Sequence, residues 1–200
     1  MARSGRSLAP AFVLREMLHL MSELLGLNRG RMVLAGEAAP GQERTASVRH
    51  AYGLTAEEVQ RGVFRWGEGI TGRVLATGLP AIVQDVDAEP MFLFRTVARD
   101  RLPPQTVAFI ALPIEVNGAT IGVLGCHRIR SRQRHLNDDL AVLRILATLA
   151  GQLLRLEQLV AEQTRQLLAR NAALARALDS ASARYGLIGR SPALLQALGE

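Results

Sequence analysis

The sequence predicts an α+β protein: an antiparallel sheet flanked by helices and followed by one long helix. Three observations carry this. Short apolar segments of strand length are separated by turn signals rich in Gly, Pro, Asn and Asp. Asn117 and Gly118 stand between two apolar runs, the strongest short-range hairpin signal in the chain. From Asn137 a helical pattern sets in that does not stop until about residue 183, roughly 70 Å at about 1.5 Å per residue.

Composition narrows the class. The 200 residues are 48% hydrophobic and 21% charged, the balance of a globular chain with one domain of ordinary size plus an addition, or two very small ones. No apolar run reaches the roughly 18 to 20 residues that span a bilayer, and no secretory leader is recognisable, so a cytoplasmic address is expected. All 24 basic residues are Arg. Without Lys there is no phosphate-binding loop ending in G-K-[ST] and no Schiff-base chemistry. The single Cys126 excludes an intrachain disulfide and any multi-cysteine metal site. The net charge of +6 is spread among 18 acids, which argues against a nucleic-acid-binding stripe.

Each element follows from local pattern. Residues 1–10 are small, polar and basic and read as a disordered terminus. Val13, Met17, Leu20, Met21 and Leu24 recur at helical spacing over 11–27, and Gly26 and Asn28 end that helix. Strands are predicted at 31–36 and 47–54. Thr55 then caps a short helix with acids in its first turn. A strand at 62–66 and a helix at 70–77 follow, then a brief strand at 80–84 and a helix or loop over 91–101. Strands at 107–115 and 119–128 form the hairpin, and Asn137, Asp138 and Asp139 cap the long helix.

The long helix repeats. Leu153, Val160, Leu167, Leu174 and Ala181 recur every seven residues, the coiled-coil period. Leu153, Val160, Leu167 and Leu174 are therefore the expected seam of a homodimer. The other half of the seam is open: Leu149 and Leu156 supply it early, Asn171 and Leu178 late. A helix packed on its own domain is the alternative. After it, Ser191 and Pro192 read as the cap and first turn of another helix, so a further domain is expected to follow.

Catalytic constellations are scarce, and no enzyme is expected. None of His19, His50, His127 and His135 stands at metal-ligand spacing, and no G-x-S-x-G elbow occurs. His50 and His127 fall on strands, where a shared pocket and structural histidines are both open readings. Asp85 and Asp87 suit a turn better than acid–base work. Gly67, Gly69 and Gly72 have the rough spacing of a dinucleotide fingerprint without the parallel strand–helix–strand unit it needs. Tight turns explain them, and an anion at the N-terminus of the helix they open is the alternative. Arg128, Arg130, Arg132 and Arg134 make a dense basic turn, read either as solvated or as a docking surface for an acidic partner.

GEGITGRVLATGLPAIVQDVDAEPMF followed by FIALPIEVNGATIGVLGCHR resembles the GAF domain signature, over about residues 11–152. The ending YGLIGRSPALLQALGE is similar to the start of the AAA+ domain of sigma-54-dependent activators. LLGLNRGRMVL, VRHAYGLTAEE and LNDDLAVLRILATLAGQLLRL resemble their nitrogen-fixation branch. The resemblance implies a GAF fold with about six antiparallel strands, a linker helix over 153–184 and a truncated AAA+ start over 185–200. It implies a regulatory role, with 2-oxoglutarate or PII signal proteins as effectors and the AAA+ ATPase as target. It also implies a pocket between sheet and helices. For a dicarboxylate the candidates are Arg73, Arg95 and Arg99, with Thr71, His50 and Phe109 lining the pocket. Activators of the alternative nitrogenases carry cysteines near the N-terminus that this chain lacks. A sulfoxide reductase on the same fold would need several cysteines, and only Cys126 is present. The remaining alternatives are an interaction and dimerisation module with a closed core and no small ligand, or the GAF domain of another sigma-54-dependent activator, of the alternative-nitrogenase type.

Overall fold

A computed structural model describes residues 10–36, 41, 43–129 and 135–184, with side chains as far as 180. The features expected at 1–9, at Arg130, Arg132 and Arg134, at the side chain of Ala181 and from Tyr185 onward lie outside the described residues.

The chain runs α1 (Pro10–Leu25), β1 (Asn28–Ala35), β2 (Thr45–Ala51), α2 (Ala56–Arg61), β3 (Val63–Arg65), α3 (Gly69–Thr77), β4 (Ala81–Val83), β5 (Val107–Val116), β6 (Ala119–Ile129) and α4 (Leu136–Arg184). The open reading of 91–101 resolves to irregular chain with a single 3-10 turn at Arg99–Arg101. The six strands form one sheet in the order β3-β2-β1-β6-β5-β4, every neighbouring pair antiparallel. Asn117 (φ 52°) and Gly118 (φ 78°) close the β5–β6 hairpin, both in the left-handed region that a two-residue turn of this hand requires. Thr55 and Glu58 form a reciprocal capping box at the start of α2.

The strands alternate faces. On one face, Met32, Ile110, Leu112, Leu124 and Cys126 pack against α1 and the first turns of α4, through Leu14, Leu18, Met21, Leu143 and Ala147. On the other, Val33, Val48, Phe109 and Val123 pack against α3 and the irregular segment before β5, through Val74, Leu75, Val86, Val97 and Leu102. Gly151 lets α4 lie on β5: a Cβ there would run into the backbone carbonyl of Glu115.

The helical face of α1 differs from the one expected. Leu14, Leu18 and Met21 are the buried positions, whereas Leu20 and Leu24 are exposed. The reason lies on β1. Gly30 has no side chain, and Met21 and Leu18 fill the space a Cβ would occupy there, which rolls the helix onto that stripe.

Residues up to Arg155 form one compact unit, and those from Leu156 form a second. Within the first, α4 buries Leu143, Ala147, Ala150 and Leu154, and half-buries Leu153. Within the second, Val160, Leu167 and Leu174 are exposed. Among the described residues no helix is long and apolar enough to cross a membrane.

Candidate functional site

The central strand β1 carries an Arg where the pattern calls for an apolar residue. Arg31 alternates with Met32 and shares a face with Val33, so its side chain enters the core beneath α3 and the 92–97 segment. It is 3% exposed. Its guanidinium carbon lies 4.7 Å from the centre of the Phe109 ring, a cation–π contact. Nη1 donates a long 3.4 Å bond to the Arg29 carbonyl, and Nε has no hydrogen-bond partner among the described residues. Burial pulls its pKa down to about 10. Gly125 on β6 gives the Phe109 ring its place beside Arg31, since a Cβ there would press on that ring at 3.0 Å.

Arg31 faces a small chamber of about 20 Å³, walled by Phe64, Phe92, Phe94, Thr71 and Thr96. Thr96 is buried and its hydroxyl also lacks a partner among the described residues. His127 packs edge-on to Phe92 and tilts against Phe109, with ring centres 6.0 and 5.2 Å apart. Both His127 ring nitrogens are buried without a partner among the described residues. Burial, with the charges of Arg31 and Arg29 beside it, holds this imidazole well below the usual histidine range, hence neutral. His127 also borders a wider depression of about 420 Å³ at the end of the sheet, with Asn28, Arg29 and Arg101 at its rim.

The expected site residues are dispersed. Thr71 lines the chamber and Phe109 lies beneath Arg31. Arg73 is exposed on the outer side of α3, beside Thr77 and Glu89, and does not reach the chamber. Arg95 borders the chamber but is committed: it pairs with both carboxylate oxygens of Glu68 and donates to the Val63 carbonyl. That pairing holds Glu68 at a pKa of about 2. Arg99 is paired with Asp87 at 2.6 Å and donates to the Pro103 carbonyl. His50 and His127 do not share a pocket. The β1–β2 partners run Val33–Val48 and then Met32–His50, so Arg49 is an extra residue at a bulge. This places His50 opposite Met32 on the α1 face, while His127 pairs with Phe109 on the other.

Arg128 is no part of a solvated turn. It ends β6 with its side chain buried, and its Nε donates to Asp139 at 2.7 Å. Cys126 is buried and its thiol is pushed up to about 12, the inert state expected of a small core residue. Among the described residues no group of three His, Cys, Asp or Glu is placed to hold a metal.

Arg31 and Thr96 escaped the sequence reading, and His127 was only half seen. One signal was present: an Arg inside RMVLAG, on the inward alternation of a strand that is otherwise apolar.

A six-stranded antiparallel sheet with α1 and α4 on one face and a walled chamber on the other defines a small α+β domain of a recognisable fold class. The GAF domain family matches residues 11–154, and the chain belongs to that family. It is 35% identical over 199 residues to the Nif-specific regulatory protein of Azospirillum brasilense, covering 98% of this chain and 31% of that one. It is 32% identical over 181 residues to the nitrogen fixation protein VnfA of Azotobacter vinelandii, covering 90% and 34%. Among solved structures it is similar to the A. aeolicus nlh2 GAF domain in an inactive state, with a TM-score of 0.63 at 25% identity, over 74% of this chain and 85% of that one. The chain spans about a third of the length of the curated relatives it matches.

Proposed function

We propose that the chain is the regulatory GAF domain of a cytoplasmic, sigma-54-dependent activator of nitrogen-fixation genes. In this reading a small effector, 2-oxoglutarate as the leading candidate, occupies the face of the sheet beneath α3 and the 92–97 segment. Its binding biases α4, which passes the change to an AAA+ ATPase. The observation that carries the reading is the buried, incompletely paired Arg31 at the chamber. A protein core holds few such cations, and an acidic ligand is their natural complement. The domain itself performs no catalysis. α4 is suited to the output role because it starts in the core, at Leu143 and Ala147, and continues as the same helix past Val160, Leu167 and Leu174. Those three residues, with Leu153, are the proposed homodimer seam. Coupling requires that the effector bind two states of the domain unequally.

One observation favours a second reading. A chamber of about 20 Å³ has room for about one water and none for a five-carbon diacid unless the 92–97 segment moves. A closed core suits a module that responds to a protein such as a PII signal protein. The docking surface would then rest on Arg130, Arg132 and Arg134, since Arg128 is engaged with Asp139.

Titration calorimetry of the 200-residue chain against 2-oxoglutarate, and separately against a PII trimer, decides between them. Saturable heat with 2-oxoglutarate supports direct sensing. Silence up to millimolar 2-oxoglutarate with saturable heat from the PII protein supports the second reading. Silence with both refutes the effector role of this fragment.

A further inference from the structure

We propose that Arg31 and Thr96 form the recognition point for a planar oxyanion: the carboxylate of a small acid, or a free ion of the same shape. The proposal rests on the reading that this face of the sheet receives an effector, and it names the chemistry of the group bound there.

Charge sets the sign of the ligand. Arg31 is a buried cation; Glu58, the carboxylate whose charge acts on it, and Glu68, which is paired with the chamber-lining Arg95, are both spoken for. Glu58 accepts from Arg29 at 2.9 Å and from the Thr55 amide at 2.8 Å. Glu68 is held by Arg95 and accepts from the Arg65 amide at 3.0 Å. A desolvated guanidinium with one long bond to a carbonyl is costly, and an anion on its free edge removes that cost.

Geometry sets the shape. The Phe109 ring lies 4.7 Å from the guanidinium carbon and Nε has no partner among the described residues, so the ligand is to meet the N–H edge that carries Nε. That edge matches two oxygens in a plane. Thr96, also in the chamber lining, supplies a second donor, a hydroxyl 2% exposed and without a partner among the described residues. Phe64, Phe92 and Phe94 close the sides. At about 20 Å³ the chamber takes a head group of few atoms only when the 92–97 segment moves, and it excludes a nucleotide. Phe94, in the segment that walls the chamber, keeps a left-handed φ of 46° despite being aromatic. Strain of this kind survives where the surroundings enforce it, as at ligand clamps.

The test is thermal unfolding and calorimetry of the 200-residue chain with sodium formate, sodium acetate and 2-oxoglutarate. Acetamide and sodium chloride at matched ionic strength are the controls. The variants are Arg31→Met and Thr96→Val. The wild-type midpoint should rise with the carboxylates and not with acetamide or chloride. Arg31→Met should abolish that rise without lowering the midpoint in carboxylate-free buffer, because it removes a buried charge rather than a pair. Thr96→Val should weaken binding at least threefold. Response to 2-oxoglutarate at far lower concentration than to formate assigns the carboxylate to a larger acid. Comparable responses assign a free ion. A rise that persists in Arg31→Met, or no rise in the wild type with any carboxylate, overturns the proposal. Heat from 2-oxoglutarate that survives Arg31→Met overturns this site and leaves the effector reading standing. A formate response lost in Arg31→Met, without one to 2-oxoglutarate, keeps the site and removes that metabolite.

Discussion

Arg128 at the end of β6 reaches Asp139 in the first turn of α4, Nε to Oδ2 at 2.7 Å, with both side chains buried. The sheet strand next to β1, which carries Arg31, is thus joined directly to the helix proposed as output. The carboxylate also sits where the α4 dipole favours negative charge. Removing one partner takes a short charge-assisted hydrogen bond from the other in a desolvated site. Arg128→Met is expected to cost about 3–5 kcal/mol in denaturant unfolding, and Arg128→Met with Asp139→Leu to recover much of that loss. A single variant with wild-type stability would show that the pair holds nothing together.

His127 gives the domain an acid-sensitive term. Its folded pKa lies well below 6.5, so the unfolded state binds the extra proton first. The stabilisation is complete above about pH 6.5 and is lost as pH falls below it, with a slope of at most about 1.4 kcal/mol per pH unit. The charges beside the ring are those of Arg31 and Arg29, which oppose protonation of the imidazole. Glu68 acts in a separate, lower window, from its ordinary 4.5 down to about 2. His127→Phe should therefore flatten the stability profile between pH 5 and 6.5. Chemical unfolding at half-unit steps measures it, and an unchanged slope would refute the assignment.

Gly151 tests how α4 meets the sheet. Helix propensity alone predicts that Gly→Ala in a helix interior stabilises, by about 1 kcal/mol. The Glu115 carbonyl occupies the space the new Cβ needs. Gly151→Ala is expected to destabilise by about 1–3 kcal/mol instead. The sign, read from urea midpoints, is the discriminating result.

The capping box at α2 also anchors the edge of the wider depression. Thr55 accepts from the Glu58 amide, and Glu58 accepts in return from the Thr55 amide and from Arg29. Thr55→Ala should cost about 1 kcal/mol, as other helix N-caps do. Glu58→Gln should cost more, since it discharges the partner of a half-buried Arg29. Equal effects of the two variants would show that the ion pair adds nothing to the cap.

The heptad positions of α4 carry the proposed dimer. Val160 and Leu167 are exposed, and Asp at both places two charges on the seam. Val160→Asp with Leu167→Asp should sediment as a monomer where the parent chain sediments as a dimer. A dimer unchanged by the double substitution would place the contact elsewhere.

The local signals were legible, and the arginines show where legibility stopped. Arg73, Arg95 and Arg99 were reasonable anion binders by type and position. Yet Arg95 is claimed by Glu68, 27 residues away, and Arg99 by Asp87, 12 away. Whether a cation is free depends on acids the fold brings to it. No spacing rule announces that.

By itself the sequence determined the family motifs, the order of strands and helices, the Asn117–Gly118 turn, the Thr55 cap and the seven-residue repeat. Each of these is written in neighbours a few residues apart, where backbone preference and short-range hydrogen bonds decide. The tertiary structure alone decided which face each side chain took. One extra residue, Arg49, reverses the alternation of β2 and separates His50 from His127. One missing side chain, at Gly30, rolls α1 onto Leu14, Leu18 and Met21. The same register places Arg31, an ordinary surface residue by type, in the core over Phe109. A strand has a period of two, so a shift of one residue exchanges inside for outside, and only the pairing of distant strands sets that shift.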